Sequence, residues 1–214
     1  TVYAHDIAKL PSWEQHVWVA YNTAPEGKVS TELLASQVRV QPASTYAVED
    51  LLFKVMRKLE RDFHQELSVD LFSHDINDAE RSQQISRFTS TDRASLLRLA
   101  KELVRIFTDR LNVKVLRNIS NHKDKEKLGS NKLLQDIVAQ ETGDDNAYKI
   151  FGVIIGVYDM RLGDAHPTSS KIGDALNLAG IDENKSFLRQ GEQLISNFGQ
   201  AIWHIGQSIF RKSE

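Results

Sequence analysis

Ala147-Tyr148-Lys149-Ile150-Phe151-Gly152-Val153-Ile154-Ile155-Gly156-Val157-Tyr158-Asp159-Met160 is the stretch whose reading decides the fold class. Ile150, Phe151, Val153, Ile154, Ile155, Val157 and Tyr158 make nearly every side of it apolar, so it reads as buried. The β-branched residues would suit a strand, but strands usually stop after about 5–6 residues. Asp144-Asp145-Asn146 just ahead supply helix-start signals, and length and cap together favour a helix. No alternating strand pattern, repeat or Gly-rich phosphate loop occurs elsewhere. The class is therefore all-α: a helical bundle with a long C-terminal helix, preceded by a smaller N-terminal helical region.

Towards the C-terminus, Pro167 and Thr168-Ser169-Ser170 break this helix and cap a short one through Ile172, Ala175 and Leu178. Asp182 and Glu183 open the last helix, with Leu188, Leu194, Ile195, Phe198, Ile202, Ile205, Ile209 and Phe210 facing inward. Arg211 and Lys212 then sit at the favourable end of its dipole. Towards the N-terminus, Ser130 starts a helix through Leu133, Leu134, Ile137 and Val138, closed by Gly143. Before it, Lys123-Asp124-Lys125-Glu126-Lys127 reads as a solvated loop, and the glycosylation-type triplet Asn118-Ile119-Ser120 as a turn. Thr91 caps a helix whose apolar set, Leu96 to Leu111, is wide enough for burial on more than one side.

From Val48 to Leu67 apolar residues recur at three and four, the clearest amphipathic helix in the chain. Ser12 and Gln15 form a capping box for a short helix over 13–22. Trp13 and Trp18 in it read as a buried face rather than a base-stacking platform. Ser30 caps a second short helix that ends before Pro42. The polar stretch 73–91 separates an N-terminal helical region, 1–88, from a bundle at 89–214. His74, Asp75 and Asp78 within it lack a second cluster at ligand spacing, so no metal is expected there.

Bulk properties narrow the function. With 41% hydrophobic residues the chain can fill a core, and a net charge of -2 gives no overall positive field to collect nucleic acid. An RNA partner would have to be met by a local patch, or by one composed across an oligomer. The absence of Cys excludes disulfides, thiolate nucleophiles and Cys-ligated zinc, and fits a reducing cytoplasm. No apolar run reaches the roughly 18 residues that span a bilayer, and no signal-peptide pattern opens the chain. A start at Thr1 rather than Met raises the expectation of a piece of a longer protein with further domains.

Chemistry points to the end of the decisive helix. Arg161-Leu162-Gly163-Asp164-Ala165-His166-Pro167 places a fixed cation and a titratable imidazole side by side where an apolar helix gives way to a polar loop. Arginine holds phosphate in fork geometry and histidine moves a proton near neutral pH, a minimal kit for work on a phosphodiester. Spacing alone decides nothing, because chance gives roughly one Arg–His pair of this kind in such a chain. Arg57 with His64 and Arg117 with His122 are two more. The first of these reads as a helix surface. Context lifts Arg161 and His166: a buried helix before, a small flexible link between, a proline after. The plain structural alternative is a helix-end arginine and a histidine bonded in a turn.

The motif Arg161 to Pro167, lying between a buried helix and a long C-terminal one, resembles the HEPN superfamily, in particular the C-terminal domains of bacterial abortive-infection proteins. The likeness covers about residues 89–214 by helix order, and only the motif is specific. That family's pattern usually has a polar residue after the arginine. Leu162 departs from it, whereas Asn118 in the copy Arg117-Asn118…His122 obeys it. The resemblance implies an endoribonuclease of phage defence, toxin–antitoxin or stress systems that needs no metal or cofactor. It implies that His166 transfers the proton, Arg161 stabilises the phosphate and Asp164 orients the imidazole, with RNA, including tRNA, as substrate. It further implies a homodimer with two motifs facing one cleft. Arg117, Asn118 and His122 are the secondary candidates, alone or paired with the first set within one chain. An inert module that dimerises or binds a partner is the competing expectation, marked by a buried or ion-paired Arg161 that cannot face solvent.

Overall fold

In the structure, a computed structural model that describes residues 4–20, 34–40, 47–73, 85–163 and 171–210, the chain divides into two units, Thr1–Thr45 and Tyr46–Glu214. The first contains α1 (Ala4–Ile7), α2 (Ser12–Ala20) and a single π-helical turn, Leu34–Val38. Here two expectations change. Gln15 does not close a capping box on Ser12; its side-chain amide donates instead to the carbonyls of Leu10, at 2.7 Å, and Ala8. Trp13 and Trp18 are exposed by 67% and 44%, and α2 buries no residue. Among the described residues of this unit only one turn of helix on each side is available, too little apolar surface to cover two indoles. Ser30 and the start of its expected helix lie outside the described residues.

The second unit holds α3 (Val48–Leu67), α4 (Arg93–Ile106), α5 (Val113–Ile119), α6 (Ser130–Thr142), α7 (Asp144–Gly163), α8 (Lys171–Leu178) and α9 (Phe187–Phe210). Short 3₁₀ turns sit at Arg87–Thr89, Thr108–Arg110 and Lys125–Lys127. Among the described residues there is no strand, only an isolated bridge between Phe72 and Leu111. The protein is all-α with a long C-terminal helix. The division drawn from sequence at 88/89 falls inside this unit, because α3 packs along α9. Gly199 of α9 lies against Leu52 of α3, Phe63 meets Phe210 edge-on at 5.0 Å, and Leu59 approaches Gly206.

The decisive helix is the hub. α7 packs against α4, α6, α8 and α9, burying Ala147, Phe151, Ile154, Val157 and Met160 completely. Not every side is covered, however: Tyr148 is exposed and Tyr158 is 36% exposed. The start of α4 differs by one residue from the sequence reading. Asp92, not Thr91, is the cap, accepting from the Ser95 amide at 2.7 Å while the Ser95 hydroxyl takes the Asp92 amide. Asn118 and Ile119 continue α5 rather than forming a turn. The last helix begins at Phe187, because Asp182 folds back onto the Asn184 amide and makes a local turn instead of a first helical turn. Arg211 and Lys212 lie outside the described residues. Among the described residues no helix is long and apolar enough to cross a membrane.

One acidic side chain couples α3 to the chain beyond it. Glu60 accepts the Phe72 amide at 3.2 Å. Its carboxyl pKa is raised, chiefly by desolvation and further by neighbouring Asp70, against the lowering effect of the Phe72 and Leu71 amides and Arg110. A carboxyl that is harder to ionise in the folded state contributes stability below its unfolded pKa, and loses it as pH rises through the folded one. Glu60→Gln keeps an acceptor and removes the charge. The variant is expected to match wild type at pH 4 and to exceed it in urea midpoint at pH 7. Lower stability of the variant at pH 7 would contradict this account.

Candidate functional site

Arg161 lies in the last turn of α7, where the helix dipole favours a cation. Its Nη1 donates to both oxygens of Asp109, at 2.9 and 3.0 Å, and its guanidinium lies 5.9 Å from the Tyr158 ring centroid. Side-chain exposures are 32% for Arg161 and 40% for Asp109, so the pair is visible to solvent. Among the described residues, the hydrogen bonds of Arg161 are all made by Nη1.

Asp109 is held by the turn that carries it. Thr108–Arg110 follows α4 without a break in packing: Phe107 is fully buried, and Arg110 beside it is 7% exposed. The Arg110 guanidinium sits over the Phe72 ring at 5.0 Å, and its Nη1 reaches the Ile106 carbonyl at 3.5 Å. On the far side the Ser73 amide donates to the Arg110 carbonyl at 2.8 Å and the Asn112 amide to that of Leu71 at 2.7 Å. The Ser130 hydroxyl donates to the Thr108 carbonyl at 3.3 Å. A carboxylate on a turn fastened from three directions has little freedom of its own.

Asp164 and His166 lie outside the described residues, as do His74, Asp75 and Asp78. Both ends of the segment carrying Asp164 and His166 are set by packed helices, α7 before it and α8 after it. Gly156 brings these two together: a Cβ there would stand 2.6 Å from the Ala179 amide nitrogen and 2.7 Å from the Ala175 oxygen.

The second Arg–His copy is occupied otherwise. Arg117 Nη2 donates to the Glu126 carbonyl at 3.1 Å, and Nη1 stands 3.7 Å from the Glu126 carboxylate. The Asp124 amide donates to His122 Nδ1 at 3.1 Å, and the His122 amide to the Ser120 hydroxyl, which in turn donates to Asp136 at 2.6 Å. Lys125 Nζ donates to the Ser120 carbonyl. These bonds clasp the charge-rich stretch onto α5 and α6, so it is an organised loop. Asn118 points from α5 as an exposed residue. His122 lines a cleft of about 390 Å³ together with Lys132, Asp136, Asp144, Asp145 and Tyr148. Three carboxylates against one ammonium make that cleft hostile to a phosphodiester. Among the described residues, no hydrogen bond or ion pair joins Arg117, Asn118 or His122 to Arg161. In the remaining pair, His64 Nδ1 stands 3.0 Å from Asp70 and shares α3 with Arg57, as a helix surface does.

Sequence reasoning missed Asp109 and counted Tyr158 with the core. Nothing in the sequence marks a partner 52 positions upstream of Arg161. Tyr158 is adjacent to buried Val157, and a wide apolar run conceals which side stays open. Among the described residues no three His, Asp or Glu side chains converge to hold a metal ion. No protein-family model matches the chain, and neither does any curated protein or solved structure.

Proposed function

We propose that the chain is an endoribonuclease of HEPN type, acting on RNA such as tRNA in the bacterial cytoplasm during defence or stress, and doing so as a homodimer. The observation that supports it is Arg161: a guanidinium at the end of a buried helix, oriented by a carboxylate and a ring, with a third of its side chain open to solvent. In the reaction the ribose 2′-hydroxyl attacks the adjacent phosphorus and the bond to the 5′-oxygen breaks. The products are a 2′,3′-cyclic phosphate and a free 5′-hydroxyl. His166 moves the proton, Asp164 orients its imidazole, and Arg161 stabilises the pentavalent phosphate. One Arg161 compensated by one Asp109 leaves no net positive charge for a phosphodiester. Two copies facing each other would supply the second imidazole and a second guanidinium.

The same ion pair favours a second reading, an inert helical module that dimerises or binds a partner. An apolar groove of about 210 Å³ between α3 and α9, lined by Leu51, Val55, Ile195 and Trp203, is the kind of surface such a module uses. Incubation with labelled tRNA and unstructured RNA in EDTA separates the two. Cyclic-phosphate ends that vanish in Arg161→Ala and His166→Ala establish the nuclease, and a folded wild-type chain that leaves both RNAs intact favours the module.

A further inference from the structure

We infer that Asp109 is the positioning residue of the Arg161 site: it fixes the edge of the guanidinium that meets a phosphate, and its own charge opposes RNA binding. This rests on the nuclease reading. A guanidinium can grip a phosphate in a fork through more than one pair of its nitrogens. Both oxygens of Asp109 accept from Nη1, at 2.9 and 3.0 Å, so a phosphate fork that used that nitrogen would compete with the carboxylate. Among the described residues the edge formed by Nε and Nη2 has no hydrogen-bond partner. Tyr158 flanks the group at 5.9 Å and limits its swing. Because Asp109 stands on a turn pinned by Arg110, Ser73, Asn112 and Ser130, the orientation is set before any substrate arrives.

These two roles have opposite consequences. A carboxylate a few ångströms from a bound phosphate repels it, so neutralising Asp109 should tighten ground-state binding by about threefold to tenfold at moderate salt. Loss of a fixed fork should slow the chemical step, on the order of tenfold or more, because the guanidinium must then find its geometry during the reaction. A residue that only holds the fold would weaken both or neither.

The experiment uses the full chain carrying Asp109→Asn, beside Asp109→Glu and Arg161→Ala, each checked for helix content and melting. Binding is read by anisotropy on an RNA oligonucleotide with a 2′-deoxy residue at the cut site, and cleavage by single-turnover kinetics on the all-ribose version. Tighter binding with slower cleavage in Asp109→Asn upholds the inference. In Asp109→Glu, which keeps the charge but moves it, unchanged binding with slower cleavage does the same, and decides the matter if the Asn variant does not fold. Unchanged cleavage in both, with Arg161→Ala inactive, overturns the role of Asp109 and leaves the nuclease standing. Weaker binding together with slower cleavage also overturns it. A wild-type chain that cuts no RNA removes the reading itself, and the inference with it.

Discussion

Gly156→Ala is expected to destabilise the protein by about 2 kcal/mol, while Gly152→Ala, one turn earlier in the same helix, is expected to stabilise it by about 0.5–1 kcal/mol. Both changes gain the same helix propensity, since glycine costs about 1 kcal/mol relative to alanine in a helix interior. Space makes the difference. A Cβ at Gly152 meets nothing within 4 Å, whereas one at Gly156 would lie 2.6 Å from the Ala179 nitrogen, 2.7 Å from the Ala175 oxygen and 2.8 Å from the Leu178 Cβ. Two of those atoms are backbone and cannot rotate away, so α8 must move bodily, and overpacking of this kind costs about 3 kcal/mol before the propensity gain is subtracted. In a chain of this size the net loss corresponds to a fall in melting temperature of about 4–8 °C. Urea unfolding of the two variants checks the sign. Equal stability of Gly156→Ala and wild type would mean that α7 and α8 do not approach so closely. The contact matters beyond stability because α8 anchors the far end of the segment that carries Asp164 and His166.

Much of the helical layout was legible because it depends on local periodicity. Val48 to Leu67 announces itself through residues three and four apart, and α3 has those ends. The same periodicity says which face is apolar but not what covers it. Trp13 and Trp18 share an apolar face in sequence and stay exposed in the fold, because coverage is a property of other segments. Caps were ambiguous for a different reason. Asp182 and Asp92 offer the same side-chain acceptor, yet one closes a local turn and the other begins a helix, and the choice depends on the packing of the residues just after each. The site was legible only in its covalent part. Arg161 is conspicuous at the end of an apolar helix. Its partner Asp109 comes from a turn whose position is fixed by the Phe72–Leu111 bridge and buried Arg110, contacts between segments distant in sequence. The competing pair Arg117 and His122 looked equivalent by spacing, and only the fold shows them bonded to Glu126 and the Asp124 amide.

If the nuclease reading holds, Arg161→Ala and His166→Ala should each lower the cleavage rate by about 10²–10³-fold or more, the scale on which removal of a charge-stabilising or proton-transferring group acts. Arg161→Lys should recover little, since an ammonium cannot reproduce a forked contact and would leave Asp109 differently engaged. Such losses would not report unfolding. The side chains of the Arg161–Asp109 pair are 32% and 40% exposed, and exposed pairs contribute less than about 1 kcal/mol. Thermal melts of the two Arg161 variants should therefore lie within a few degrees of wild type. The comparison also bears on the inert-module reading, in which Arg161 serves only to tie α7 to the Thr108–Arg110 turn. Under that reading the melts are the same but no RNA is cut by any form, and Asp109→Asn behaves like Arg161→Ala in every assay. Under the nuclease reading those two variants part company, since one removes the group that meets the phosphate and the other only releases it from its fixed orientation.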